Sequence, residues 1–279
     1  MPTYGMAIDL NRCIGCYNCQ IACKDEHVGN DFLPIAAAQP TFGHFWLSVT
    51  EKEQCWDGSH FKVTYIPKPC MHCKDPACVK AAKNGAVYQR PDGIVIIDPQ
   101  KAVGQKQIVD SCPYGSIYWN EEKNVAQKCT FCAHLVDDGW AQPRCVQSCP
   151  MSCMYFGDLD DPKSKIAQFI ARNNAEILDP AYGTNPKVSY VGLPKPHLAG
   201  TVRFADTKEC APQVKVTLAG PDGENAETVT DFFGDFEFAN VRMGKHRISC
   251  AIAGYKHESK SFEIMEDITD LGEVALAKI

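Results

Sequence analysis

The sequence has no long hydrophobic run and no cluster of basic residues. None of its apolar segments approaches the ~18 residues that a membrane-spanning helix requires. The first nine residues contain neither the basic region nor the apolar core of a secretory signal. The formal net charge is -6, which argues against a nucleic-acid partner. We therefore expect a cytoplasmic protein without a membrane anchor or an export signal of its own.

The overall composition is that of an ordinary globular protein. The chain has 279 residues, of which 45% are hydrophobic and 22% are charged, and this length suggests about two domains. The unusual number is sixteen cysteines. This content, about 6% of the chain, is below that of small disulfide-stabilised secreted domains. The cysteines therefore point to metal binding, and their spacing decides which kind.

The cysteines form four runs, of which two are complete and two are not. The first, with Cys13, Cys16, Cys19 and Cys23, has the C-x2-C-x2-C-x3-C spacing of bacterial 4Fe-4S ferredoxins. The fourth differs only in a stretched middle and contains Cys129, Cys132, Cys145 and Cys149, followed by Pro150. The second keeps Cys70, Cys73 and Cys78 but has Ala82 at its fourth position. The third keeps only Cys112, before Pro113, and has Ala102, Gln105 and Ile108 elsewhere.

The missing cysteines indicate how the runs pair. In two-cluster ferredoxins the fourth cysteine of each run ligates the other run's cluster. If the second and third runs exchange in this way, all four missing ligands fall on one site. Without exchange, the second run would have three ligands and Cys112 would have no cluster. The sequence therefore predicts three 4Fe-4S clusters and one lost site.

This exchange defines three cysteine sites and one lost site. Site A comprises Cys13, Cys16, Cys19 and Cys149. Site B comprises Cys23, Cys129, Cys132 and Cys145. Site C comprises Cys70, Cys73, Cys78 and Cys112. The lost site comprises Ala82, Ala102, Gln105 and Ile108.

Structural zinc sites and disulfides are the alternatives to iron-sulfur clusters. Pairs of C-x2-C also form structural zinc sites, although zinc sites rarely use a C-x2-C-x2-C-x3-C run. A disulfide framework is disfavoured by the composition and by the missing secretory signal. The four cysteines outside the runs are predicted to be small buried apolar residues: Cys55, Cys153, Cys210 and Cys250. Cys153 is expected near a cluster because it follows Cys149 by four residues.

The predicted fold class is α+β. Residues 1–155 are expected to form two ferredoxin-like modules, with an inserted hairpin of strands 45–50 and 61–66 around a turn at Asp57-Gly58 that covers a cluster. Residues 156–196 are predicted to be a linker that packs back on the cluster region, with a helix over 162–178 and a proline-rich strap. Residues 197–279 alternate in polarity and are predicted to form a seven-stranded antiparallel sandwich or barrel. Its strands are expected at 201–204, 214–218, 227–230, 236–238, 246–252, 259–264 and 273–276.

Two resemblances extend this interpretation. The segment 230–238, with Met243-Gly-Lys-His246, resembles transthyretin-like or Cna-B-like modules, which serve stability or partner contact. The four runs, with Tyr155-Phe-Gly-Asp-Leu-Asp-Asp-Pro162, resemble the iron-sulfur subunits of the dimethyl sulfoxide reductase family of molybdenum and tungsten enzymes over residues 3–195. This resemblance implies an electron-transfer chain without catalytic residues. It also implies a heterodimer, or a larger assembly, with a large subunit that binds a bis-pterin molybdenum cofactor.

The lost site is a departure from that family. In the family, the corresponding cluster lies beside a haem-bearing membrane subunit, so its loss implies that no membrane-anchor subunit is present. Three clusters with an added C-terminal β-domain resemble the transhydroxylases of the family, which move a hydroxyl group between phenolic rings without net oxidation. Two alternatives remain open from the sequence. One is an independent polyferredoxin, and the other is a subunit whose clusters are mainly structural.

Overall fold

The chain divides into two compact units in the computed structural model, which describes residues 1–55, 61–221, 223–265 and 268–279. The first unit contains Met1–Glu51 and Thr64–Leu193. The second contains Lys52–Val63 and Pro194–Ile279. Segment 156–193, which the sequence suggested as a linker, is thus part of the first unit.

The helices are short. Within the described ranges they are α1 (Asn18–His27), α2 (Ala77–Ala81), α3 (Gln107–Asp110), α4 (Ala133–Asp137), α5 (Arg144–Gln147) and α6 (Lys165–Asn173), with a 3-10 turn at Pro180–Tyr182. None of these helices has the length and apolar character needed to cross a bilayer. Their role in the first unit is to carry cysteines: Cys19 and Cys23 lie on α1, Cys78 on α2 and Cys145 on α5.

The strands that lie wholly or partly in the first unit form one sheet and three ribbons. They are β1 (Tyr4–Asp9), β2 (Ser48–Cys55), β3 (Phe61–Lys68), β4 (Val87–Gln89), β5 (Val95–Ile97), β6 (Tyr118–Asn120), β7 (Val125–Gln127), β8 (Met154–Asp158), β9 (Glu176–Ile177) and β10 (Val188–Val191). The sheet has the order β8-β1-β10-β9, and the ribbons are β2-β3, β4-β5 and β6-β7. Strand β1 lies inside the sheet, and its residues Met6, Ala7 and Ile8 are fully buried. The apolar strand therefore holds the loop that follows it, which contains Cys13 and Cys16 of the first cysteine run.

The predicted linker is an integral part of this sheet. Strand β8 pairs antiparallel with β1, and β10 pairs parallel with it, with Met6 opposite Val188. The helix predicted over 162–178 is shorter as α6. It begins after Ser164, whose hydroxyl accepts a hydrogen bond from the Ala167 N–H at 3.1 Å. It ends at Asn174, which adopts the left-handed conformation that terminates many helices.

The inserted hairpin is present as β2 and β3, although its first strand begins three residues later than predicted. The predicted turn at Asp57-Gly58 lies outside the described residues. Trp46 and Leu47, which were expected in that strand, precede it and are only 1% exposed, so they pack into the interior. Val49 of β2 and Pro67 of β3 contribute to the wall of site A.

The second unit contains two sheets with a shared apolar core. Its strands are β11 (His197–Phe204), β12 (Lys215–Ala219), β13 (Asn225–Val229), β14 (Asp235–Phe238), β15 (Gly244–Ala251), β16 (Glu258–Ile264) and β17 (Ile268–Leu276). The sheets have the orders β14-β11-β17 and β13-β12-β15-β16. Fully buried side chains such as Leu198, Val216 and Leu276 form the core. The expectation of a wholly antiparallel module was wrong in one respect, because β11 and β17 are parallel.

Candidate metal centre

Site A lies where the loop after β1 meets the segment after α5. Its four cysteines line a recess with an empty volume of about 340 Å³. The loop requires Gly15, because its φ is +65° and a Cβ would come 2.4 Å from the Tyr65 ring. Cys16 is exposed, whereas Cys19 is buried. Burial, with repulsion from the Cys13 thiolate next in weight, raises the pKa of Cys19 to about 12 in the metal-free chain.

Site B is the most completely buried group. The exposed fractions of its four cysteines lie between 5% and 6%. Helices α1 and α5 pack together and bring Cys23 to Cys145. Burial raises the pKa of Cys132 to about 12 and that of Cys129 to about 11. It also raises the pKa values of Cys23 and Cys145, with further repulsion from the other thiolates of the site. The four sulfurs are thus held together, away from water.

Site C has a recess of similar size. Its four cysteines line an empty volume of about 360 Å³ together with Tyr114 and Thr184. The Tyr114 and Thr184 hydroxyls share a hydrogen bond of 2.8 Å. Burial raises the pKa of Cys73, and a hydrogen bond with the Thr184 side chain opposes that rise. The His72 N–H donates to the Cys70 sulfur at 3.5 Å, so backbone donors also contact this site.

Cysteines of different runs lie close together in the fold. Cys149 of the fourth run lines the recess of site A together with cysteines of the first run. Cys112 of the third run lines the recess of site C together with cysteines of the second run. Cys23 of the first run lies near Cys129 and Cys132 of the fourth, whose charges add to burial in raising its pKa.

The spacing of these groups bears on the choice of metal. A tetrahedral zinc site has Zn–S bonds of about 2.3 Å, which places its sulfurs only about 3.8 Å apart. Among the residues that the structure describes, no three His, Cys, Asp or Glu side chains are arranged to hold a single metal ion. Four thiols converge on the recess of site A, and four converge on that of site C. Such all-cysteine sets are the ligands that 4Fe-4S clusters use.

The lost site is filled by protein. Ala102 and Ile108 are fully buried in an apolar cluster that also includes Val87, Ile97 and Val125. Ala82 packs against the edge of this cluster.

Gln105 lies beside that core, and its side chain forms four hydrogen bonds, one of which is donated by the Gln107 amide at 3.3 Å. The Gln105 Oε1 also accepts from the Lys83 N–H at 2.8 Å, and its Nε2 donates to the carbonyl oxygens of Lys83 at 3.2 Å and Lys101 at 2.8 Å. Lys83 follows Ala82, and Lys101 precedes Ala102. The amide therefore joins two segments that a cluster would have linked through iron.

Among the cysteines outside the runs, Cys153 has a more specific place than predicted. It is 2% exposed and lines the recess of site A, and its sulfur lies 3.4 Å from that of Cys149. A hydrogen bond from the Cys153 thiol lowers the pKa of Cys13 to about 6 in the metal-free chain. Cys250 is fully buried as expected, and Cys210 is partly buried. The Cys55 side chain lies outside the described part of the chain.

Sequence reasoning missed a buried basic group between sites B and C. Lys128 precedes the first cysteine of the fourth run and is 2% exposed. Its ammonium donates to the carbonyl oxygens of Val95 and Cys129, the latter at 3.0 Å. Nothing in the local spacing marks this lysine as buried, because lysine is one of the residues most often found at the surface.

Comparison with known proteins agrees with the cysteine pattern. A family model described as a 4Fe-4S dicluster domain matches residues 61–159. The chain is 39% identical to the pyrogallol hydroxytransferase small subunit of Pelobacter acidigallici, over 99% of this chain and 100% of the relative. It is 38% identical to a tetrathionate reductase subunit of Salmonella typhimurium, over 68% of this chain and 72% of the relative. A putative dimethyl sulfoxide reductase iron-sulfur subunit of Halobacterium salinarum is 34% identical, over 68% of this chain and 79% of the relative.

The chain belongs to the iron-sulfur subunits of the dimethyl sulfoxide reductase family. It is therefore an electron-transfer subunit that contains 4Fe-4S clusters, in a family whose members are subunits of molybdenum enzymes. The family's 4Fe-4S dicluster model spans the second, third and fourth cysteine runs, including the positions of the lost site.

The extent of these matches differs between iron-sulfur subunits. The tetrathionate reductase and dimethyl sulfoxide reductase relatives each match 68% of this chain. The Pelobacter subunit matches 99% of it, so its similarity includes the β-domain of the second unit. The sequence similarity to the Pelobacter subunit thus extends through the β-domain.

Proposed function

We propose that this chain is the small subunit of a molybdenum-dependent transhydroxylase that acts on pyrogallol. The transfer of the hydroxyl group would take place on a large partner subunit that binds a bis-pterin molybdenum cofactor. The filled lost site carries this proposal, because a hydroxyl transfer without net oxidation needs no long exit route for electrons. Similarity to the Pelobacter subunit over nearly the whole chain supports it.

Within this proposal, the twelve cysteines of sites A, B and C ligate three 4Fe-4S clusters. A bound cluster supplies one-electron transfer, with a potential set by its surroundings. The chain's own residues hold the iron through thiolates and keep water away, most completely at site B, where all four cysteines are buried. Backbone N–H groups also donate to ligand sulfurs, for example from His72 to Cys70 and from Phe131 to Cys129. Such donors raise a cluster's reduction potential.

The same proposal omits a membrane-anchor subunit and places the enzyme in the cytoplasm. Ile108 and Ala102 occupy the position of the cluster that would face an anchor, so the electron route in this chain would end at site C. The β-domain, proposed as a transthyretin-like or Cna-B-like module, would contribute stability or partner contact. Cell fractionation and the subunit composition of the purified complex test both statements.

The test of the function uses the complex isolated without oxygen, together with whatever large subunit co-purifies. About twelve iron and twelve sulfide per copy of this chain, after correction for partner clusters, with one molybdenum or tungsten, would support the proposal. The same complex should convert pyrogallol without an added electron donor or acceptor. Iron without a metallopterin partner would instead indicate an independent polyferredoxin, and clusters that dithionite cannot reduce would indicate a structural role.

A pair of matched serine variants tests the ligand assignment. Cys112→Ser should reduce the iron content by about four per chain, because it removes one ligand of site C. Cys210→Ser is the control, since Cys210 lies in the β-domain and outside the three sites. Equal iron contents in the two variants would contradict the assignment of Cys112.

A further inference from the structure

Lys128 is a buried cation whose contacts within the described part of the chain are carbonyl oxygens and not a carboxylate. Its side chain is 2% exposed, and its ammonium donates to the carbonyl oxygens of Val95 and Cys129. Burying a charged group without an opposite charge is costly, even when hydrogen bonds are made. The surroundings of Lys128 must therefore supply negative charge in the assembled protein.

The two carbonyl groups place this ammonium between two cysteine sites. Cys129 is a member of site B, and Val95 lines the recess of site C with its four cysteines. The charge of Lys128 also acts to lower the pKa values of Cys78 and Cys112 in site C and of Cys129 in site B. Lys128 is not among the groups that shift the pKa values of Cys13 and Cys19 in site A.

Two groups near Lys128 carry no negative charge. His72 is fully buried, and an imidazole ring is either neutral or cationic. Lys187 is itself basic and donates to the carbonyl oxygens of His72 at 2.8 Å and Gly93 at 2.9 Å. His72 and Lys187 therefore supply no negative charge to Lys128, whereas its charge acts on thiols of sites B and C.

We propose that Lys128 is a fixed positive charge shared by the clusters of sites B and C, and that it raises the reduction potentials of both. This inference rests on the proposed cluster ligation. Reduction adds one negative charge to a cluster, so a nearby cation stabilises the reduced form more than the oxidised form. Site A is not influenced in this way and serves as an internal reference.

The experiment is an EPR-monitored redox titration of the whole complex with Lys128→Met and Lys128→Gln. Methionine keeps the apolar length of the side chain, and glutamine keeps an N–H donor without the charge. We expect the ratio of reduced to oxidised cluster at a fixed potential to fall about tenfold at sites B and C, which is about 59 mV for a one-electron couple. Site A should keep its wild-type potential.

Lys123→Met is the matched control, since it removes the same charge from the turn between β6 and β7. Lys123 is 37% exposed and pairs with Asp31 at 3.1 Å, so its loss should shift no cluster potential measurably. Clusters B and C with wild-type potentials in Lys128→Met or Lys128→Gln would overturn the inference. Equal shifts at all three sites, or the same shifts in Lys123→Met, would also overturn it.

If the uncharged variants lose clusters, Lys128→Arg, which keeps the charge, shows whether the charge or the shape of lysine is the cause. If both uncharged variants lose about eight iron per chain while Lys128→Arg retains it, the clusters depend on the charge and the inference is supported. If Lys128→Arg loses the same iron, the shape of lysine is what matters, and the inference fails. Absence of every 4Fe-4S signal from the wild-type complex would instead refute the proposed function.

Discussion

Restoring the four cysteines of the lost site is expected to give this chain a fourth cluster while making the region depend on iron. The variant combines Ala82→Cys, Ala102→Cys, Gln105→Cys and Ile108→Cys. In the wild-type chain these positions contribute to an apolar core and to a hydrogen-bonded amide. The Ile108 and Gln105 substitutions remove contacts of the metal-free fold, the two alanine substitutions add a sulfur atom to it, and all four supply thiols to a common site.

Without a fourth cluster, the variant loses folding free energy through reduced burial and lost hydrogen bonds. Ile108 is fully buried, and its replacement by cysteine removes roughly two methylene equivalents and leaves a cavity, which costs about 2 kcal/mol. Gln105 forms four side-chain hydrogen bonds at a partly exposed position, and their loss costs about 1–3 kcal/mol. The combined loss is a large fraction of a typical folding free energy of about 5–15 kcal/mol. Without a fourth cluster, the variant should unfold at clearly lower urea concentration than the wild type.

The assay is iron and sulfide per chain after anoxic reconstitution, together with urea unfolding of the metal-free and reconstituted forms. We expect about sixteen iron per chain and a gain of stability on reconstitution that the wild type does not show in this region. The control omits Ala82→Cys, which leaves three ligands and should prevent a complete fourth 4Fe-4S cluster. A quadruple variant that keeps about twelve iron and unfolds like the wild type would refute the reasoning, because the four positions would then not form one site.

Four further outcomes follow from the described contacts. Cys23→Ser should remove the cluster of site B and leave site A intact, although Cys23 lies in the same run as the site A ligands; EPR of the remaining clusters checks this. In the metal-free chain, the Cys13 pKa of about 6 means that Cys13 is mostly thiolate above pH 6, so iodoacetamide should label it at pH 7 before Cys19, whose pKa is about 12. Cys153→Ala should slow the labelling of Cys13 at pH 7, because the pKa of Cys13 rises when the Cys153 thiol no longer donates to it. Ser164→Ala should destabilise the first unit by about 1 kcal/mol in urea unfolding through loss of the α6 N-cap, whereas the exposed Lys163→Ala should change little.

Local patterns in the sequence were enough for several parts of the fold. The seven strands of the β-domain were predicted because alternation of buried and exposed side chains is a property of each strand by itself. The grouping of cysteines could be inferred because the four losses fall on positions that a single exchange rule connects. In both cases the signal lies within a short segment or in a spacing.

Features that depend on distant partners were not predictable in the same way. The pairing of β10 with β1 joins residues about 180 positions apart, and a proline-rich segment gives no sign of it. The parallel arrangement of β11 and β17 likewise depends on where the last strand returns. Lys128 is buried because Val95 and Cys129 present carbonyl oxygens to it, and that contact exists only in the folded chain.

The filled lost site changes what one part of the first unit needs in order to fold. A cluster-bearing module acquires its structure only when iron and sulfide are delivered and thiols give up their protons. The part around Ile108 and Val125 is instead held by side-chain packing that is present as soon as the chain is synthesised. We therefore expect this apolar core to form before any metal arrives and to hold the Cys112 segment in position for site C. It would also survive oxygen or iron shortage that strips the clusters from the neighbouring sites.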